Sequence, residues 1–147
     1  MSGNRRFVDT NILVYAHDDS AGGKRDRARA LVEHLWETRE GCLSVQVLQE
    51  FFVTVTRKIV KPLDVETTRG IVADLSRWFV HAPAADDVLS AIGVHQRTGI
   101  SFWDAMIVRS AAEIGCSVVY SEDLNAGQEY SGVRVENPFL VSGGSTE

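Results

Sequence analysis

Four acids, Asp9, Glu50, Asp104 and Asp123, stand out by their surroundings. In Arg5-Arg6-Phe7-Val8-Asp9-Thr10-Asn11-Ile12-Leu13-Val14-Tyr15 a short apolar run ends abruptly in a carboxylate. Ile12, Leu13 and Tyr15 then follow with the spacing of a helix face, so Asp9 falls at a strand-to-helix junction. In an open α/β sheet, that junction at the carboxyl end of a strand is where ligands bind. Asp123 directly follows the run Ser117-Val118-Val119-Tyr120-Ser121 and has the same topological location. Glu50 is one helical turn from Gln46, Val47, Val53 and Thr54, which takes it off a plainly solvated face, and Asp104 shares a helix side with Val108, Ala111 and Ala112. Each acid alone also fits a structural role. Asp9 or Thr10 could cap a helix, Asp104 lies three residues after Ser101 as in a capping box, Asp123 suits a turn, and Glu50 suits a helix surface. Gathered at one sheet edge they do something no folding requirement explains: two carboxylates about 5 Å apart repel by roughly 3 kcal/mol at an effective dielectric near 20. A metal ion relieves that repulsion. An all-oxygen donor set without His or Cys suits Mg²⁺ or Mn²⁺ rather than zinc or copper.

The elements that would position these acids alternate along the chain. After the helix opened by Asp9, apolar spacing predicts a helix over 24–38, a strand at 42–44 and a helix over 45–58 with Ser44 as its cap. Asp64 opens a helix to about 78, a strand follows at 79–81, and a helix over 85–98 closes at Gly99. Ser101 caps a helix to 114, 117–121 is the clearest strand, and 133–135 is a short one. Short strands separated by helices require parallel pairing through crossover connections. The expected fold is therefore a three-layer α/β/α sandwich with a short-stranded, mainly parallel central sheet.

With 147 residues, 44% of them hydrophobic and 24% charged, the chain is expected to form one domain over 1–140, followed by a disordered tail over 141–147. No segment approaches the roughly 20 apolar residues that span a bilayer, and the first residues lack the features of a signal peptide, so a cytoplasmic location is expected and no membrane partner. Cys42 and Cys116 each follow a glycine and open an apolar run, and they read as small buried strand residues. Neither forms a Cys-x-x-Cys pair. The net charge of −5 argues at first against a phosphate-rich partner. Positive charge is nevertheless concentrated in Lys24-Arg25-Asp26-Arg27-Ala28-Arg29 and in Arg57-Lys58-Ile59-Val60-Lys61, two candidate basic rims. His17, His34, His81 and His95 have no ligand spacing and read as structural or surface residues. Trp36, Trp78, Trp103, Phe51, Phe52 and Phe102 read as core or subunit interface rather than base-stacking platforms.

Asp9-Thr10-Asn11-Ile12-Leu13-Val14-Tyr15, Gln49-Glu50-Phe51, Ser101-Phe102-Trp103-Asp104-Ala105 and Tyr120-Ser121-Glu122-Asp123-Leu124 resemble, in order and spacing, the acidic motifs of PIN-domain nucleases. The length is similar to that of VapC toxins of type II toxin–antitoxin modules. The resemblance implies a PIN-like nuclease domain and a metal-dependent endoribonuclease that hydrolyses RNA phosphodiesters with metal-activated water. It further implies a small cognate antitoxin and a homodimer. By position, Asp9, Glu50, Asp104 and Asp123 match the family's metal-binding acids, and Thr10, Asn11, Ser101 and Ser121 match its polar supporting positions. On this pattern Asp9, Asp104 and Glu50 hold one Mg²⁺ or Mn²⁺, and Asp123 completes that site or serves a second ion. Glu122 and Asn125 compete with Asp123 for the fourth place. The competing readings are a PIN-fold module that has lost catalysis and only binds RNA or protein, and an aspartyl phosphatase. The second is disfavoured by Asn11, which stands where such an enzyme places its second Asp.

Overall fold

The computed structural model describes residues 4–140 of the chain; the tail expected over 141–147 lies outside them. The elements are β1 (Arg6–Val8), α1 (Thr10–Ala16), α2 (Gly23–Thr38), β2 (Gly41–Ser44), α3 (Val45–Arg57), α4 (Val65–Leu75), β3 (Phe79–His81), α5 (Ala85–Thr98), α6 (Phe102–Glu113), β4 (Val118–Tyr120), β5 (Glu129–Tyr130) and β6 (Val133–Glu136). They form a six-stranded sheet in the order β3-β2-β1-β4-β6-β5, in which β5 pairs antiparallel with β6 and every other pair is parallel. The connections from β1 to β2 to β3 step outward in one direction, whereas the connection from β3 to β4 returns past β2 and β1. Right-handed crossovers then place α1 to α4 on one face and α5 and α6 on the other, which is the expected three-layer sandwich. The central strand β1 carries Phe7 and Val8, fully buried between the layers, and Ile12, Leu13, Leu43 and Phe51 join the same core.

Local chemistry sets the element ends much as the sequence predicts. The Ser44 hydroxyl accepts from the Val47 N–H at 3.3 Å, and the Asp64 carboxylate accepts from the Thr67 N–H at 2.7 Å. Gly99 closes α5 in the left-handed conformation at φ 80°. Two elements differ from expectation. The helix expected to reach 78 ends at Leu75, because Trp78 turns inward and packs over Gly41 to start the β3 pairing with β2. The β5–β6 hairpin was not expected, since β5 has two residues and no alternation to detect; Ser131 and Gly132, at φ 52° and 83°, form its turn.

A Cβ built on Gly41 would lie 2.5 Å from the Trp78 ring, which is buried. Gly41→Ala is therefore expected to cost about 1–3 kcal/mol by overpacking, read as a lower midpoint in urea unfolding. A second polar anchor ties α5 and α6 to β3. The His81 ring nitrogens lie 2.8 Å from Ser110 Oγ and 3.4 Å from Asp87, and Asp87 also accepts from Arg109 at 2.8 Å. The Ala84 N–H, followed by Arg109, holds the Asp87 carboxyl below its ordinary range. The arrangement superficially suits nucleophilic catalysis, but Ser110 is fully buried and out of a substrate's reach. His81 is thus structural, as expected.

Candidate active site

The strand order reverses between β1 and β4, so their carboxyl ends border the crevice where ligands bind in open α/β sheets. Asp9 ends β1, and its N–H donates to Tyr120 O at 3.0 Å in the last rung towards β4. Ser121 ends β4. Its hydroxyl donates to Asp9 Oδ2 at 2.8 Å and accepts from the N–H groups of Asp123 at 3.1 Å and Leu124 at 3.3 Å. One donor and two acceptors are all a serine hydroxyl has, so Ser121 is saturated and fixes both acid-bearing strand ends at once. Asp104 arrives from the opposite layer. The helix α6 runs into β4, so its first turn stands over the carboxyl edge, and Ser101 Oγ caps it by accepting from the Asp104 N–H at 3.1 Å.

Asp9, Asp104 and Asp123 each present a carboxylate oxygen, all within 4.8 Å of one another. Among the described residues no Lys, Arg or His forms an ion pair with any of them. Burial pushes Asp9 up to about 7, against the hydrogen bonds from Ser121 and the Thr10 N–H; the charges of Asp104 and Asp123 push the same way. Asp104 is also raised, first by partial burial, against a bond from Ser101, with Asp123 and Glu50 adding repulsion. Such a site favours a cation or a proton.

Of the four predicted acids, three therefore meet directly, and Glu50 stands beside them. It lines the same cleft of about 450 Å³ as Asp9, Asp104 and Asp123. Its Oε1 accepts from Thr10 Oγ1 at 2.8 Å and its Oε2 from Gln46 Nε2 at 3.4 Å. Thr10 thereby joins the Asp9 turn to α3. Asn11 lines the cleft, and its Oδ1 is buried without a hydrogen-bond partner. Glu122 is engaged elsewhere, accepting from the Tyr15 hydroxyl at 2.7 Å and pairing with Lys24, and Asn125 does not line the cleft. Asp123 is the acid of that segment that reaches the cluster.

The two basic runs part company. Lys24 pairs with Glu122, Arg25 with Asp19, and Arg29 donates to Ala16 O, so α2 spends these cations on internal contacts. Lys58, by contrast, lines the acidic cleft. Sequence reasoning also did not place Tyr15, Gln46, Thr54 or Trp103 on the cleft wall. Trp103, read as core or interface, is 61% exposed. Its adjacency to Asp104 at a helix start was the available signal: neighbours in a first turn share one rim.

The fold has close counterparts among solved structures. A toxin–antitoxin complex from Klebsiella pneumoniae matches with TM-score 0.69 at 17% identity, covering 92% of this chain and 99% of that one. A DNA-bound VapBC from Salmonella typhimurium matches with TM-score 0.63 at 20% identity, covering 92% and 98%. Mycobacterium tuberculosis VapC20, a sarcin-ricin loop cleaving toxin, matches with TM-score 0.59 at 19% identity, covering 80% and 89%. At these identities the likeness is one of fold. No curated protein sequence matches. The PIN domain description matches residues 6–128, and on that span, which takes in all four acids, the chain belongs to the PIN domain family.

Proposed function

We propose that the protein is a metal-dependent endoribonuclease, the toxin of a toxin–antitoxin pair, held inactive in the cytoplasm by a small cognate antitoxin and working as a homodimer. The observation that carries this reading is the meeting of Asp9, Asp104 and Asp123 oxygens within 4.8 Å on a PIN scaffold. The solved relatives support the toxin and antitoxin parts, since they are a cleaving toxin and toxin–antitoxin complexes. The donor set fits a hard divalent ion: all oxygen, with one acid so buried that it resists ionising alone. Asp9, Asp104 and Asp123 would hold Mg²⁺ or Mn²⁺, with Glu50 adding negative charge from the cleft wall. When bound, the ion supplies an activated water for in-line attack on a phosphodiester and neutralises charge in the transition state.

The chain's own residues do the positioning. Ser121 and the Thr10 N–H orient both Asp9 oxygens, Ser101 starts the turn that presents Asp104, and Thr10 links Asp9 to Glu50. Lys58 brings one positive charge to a cleft that otherwise repels a nucleic-acid backbone. The test is cleavage of a single-stranded RNA by the purified protein in Mg²⁺ or Mn²⁺ and in EDTA. Cleavage is expected with either ion and background hydrolysis in chelator; equal rates in both would reject the metal mechanism.

A further inference from the structure

Trp103 stands on the rim of the acidic cleft. Its indole is 61% exposed, yet it lines the cleft that holds Asp9, Asp104 and Asp123 and directly precedes Asp104 in the chain. The ring is braced from behind. Phe102 meets it edge-on, with centroids 5.1 Å apart and planes at 69°, and Phe102 itself packs on the small core of Ala91, Val94, Ala105 and Met106. A flat aromatic face is thus held at the rim with an unfilled side, at a fixed chain distance from an acid of the cluster. Lys58 puts a cation on the same cleft.

We propose that Trp103 is the platform on which one base of a single-stranded RNA stacks next to the cleaved phosphate. Lys58 meets a neighbouring phosphate. The proposal rests on the nuclease reading and names how its substrate is held. A base in a duplex has no free face to offer, so the occupant is single-stranded or flipped out. A purely apolar protein side chain would cover the indole but offers nothing to Lys58 on the same cleft, whereas a nucleotide carries both a flat face and a phosphate. Stacking is tolerant of sequence, so Trp103 acts on substrate affinity rather than on the chemical step.

The experiment compares wild type, Trp103→Phe and Trp103→Ala on a short single-stranded RNA in Mn²⁺, and repeats it with an abasic residue moved along the oligonucleotide. Trp103→Ala should raise KM roughly 5- to 100-fold with kcat little changed, the range expected for loss of one base–aromatic stack. Trp103→Phe should recover most of the loss, because it keeps a flat face and leaves the start of α6 undisturbed. One abasic position should weaken the wild type and leave Trp103→Ala unaffected. A wild type that cleaves while Trp103→Ala keeps its KM overturns this proposal alone. So does a Trp103→Ala protein with unchanged RNA kinetics but lost subunit association, which would assign the indole to a protein interface. A wild type that does not cleave RNA in Mn²⁺ overturns the nuclease reading and this one with it.

Discussion

Asp104→Asn should abolish RNA cleavage while leaving the metal-free protein at least as stable as the wild type. The substitution keeps the shape and removes one charge from a trio whose oxygens lie within 4.8 Å. Losing one of the groups that would hold the charge-neutralising ion is expected to cost roughly 10²–10³-fold or more in kcat. Stability should move the other way. The cap of α6 is the Ser101 hydroxyl bonded to the Asp104 backbone N–H, so the side-chain change leaves it in place. Removing repulsion from Asp123 and Glu50 relieves on the order of 1–3 kcal/mol. The measurement is thermal unfolding of both proteins in EDTA and in Mg²⁺, beside the RNA assay. Wild type should gain several degrees on adding the ion, and the variant much less. A variant that melts clearly lower in EDTA while cleaving normally would return Asp104 to a structural role.

Asp9 predicts an unusual pH dependence of the same metal-free protein. Its carboxyl titrates at about 7 when folded, against 3.8 when exposed. The folded state therefore holds the proton more tightly. The stability this contributes is fully present below about pH 4 and is lost as pH rises to about 7. A shift of about three units corresponds to on the order of 4 kcal/mol. Asp104, raised in the same direction, adds to the trend, whereas Asp87, whose carboxyl is lowered, acts only below its ordinary range and does not oppose it. In EDTA, urea unfolding should show stability falling between pH 5 and 7.5, and Asp9→Asn should flatten that slope. Metal reverses the sign, because it binds the ionised carboxylate. Affinity for Mn²⁺ should fall nearly tenfold per pH unit below about 7, with about one proton released per ion by calorimetry at pH 6. A wild-type stability profile that is flat or rising over this range would show that Asp9 is already ionised without metal.

The sequence carried the crossovers, the caps and the strand-end acids, because each is a local pattern: Ser44, Asp64 and Ser101 all accept from an N–H three residues ahead. It was weaker wherever the answer depended on partners far along the chain. Lys24 looks like part of a basic rim until Glu122, 98 positions later, is seen to pair with it. Glu50 looks equivalent to the other acids by motif, but its distance from them is set by how α3 leans on the sheet, which no spacing encodes. Trp103 departs from the core half of its reading because hydrophobicity predicts burial only on average, and a residue in the first turn of a helix at a cleft rim can stand exposed. Which side chain of the 122–125 segment reaches the cluster depends on a single hydroxyl, since Ser121 bonds both Asp9 and the Asp123 N–H.

The central place of β1 bears on how the protein is made. It is the first strand of this domain in chain order, and it acquires β2 on one side early, but its other side is closed only by β4. Ser121, which locks Asp9, follows it by 112 positions. A nascent chain or truncated product that stops before β4 thus exposes an apolar strand edge, a template for aggregation, and lacks Asp123 altogether. Closure of the sheet and completion of the acidic cluster are thus one event, because the strand that covers the far side of β1 also leads into Asp123.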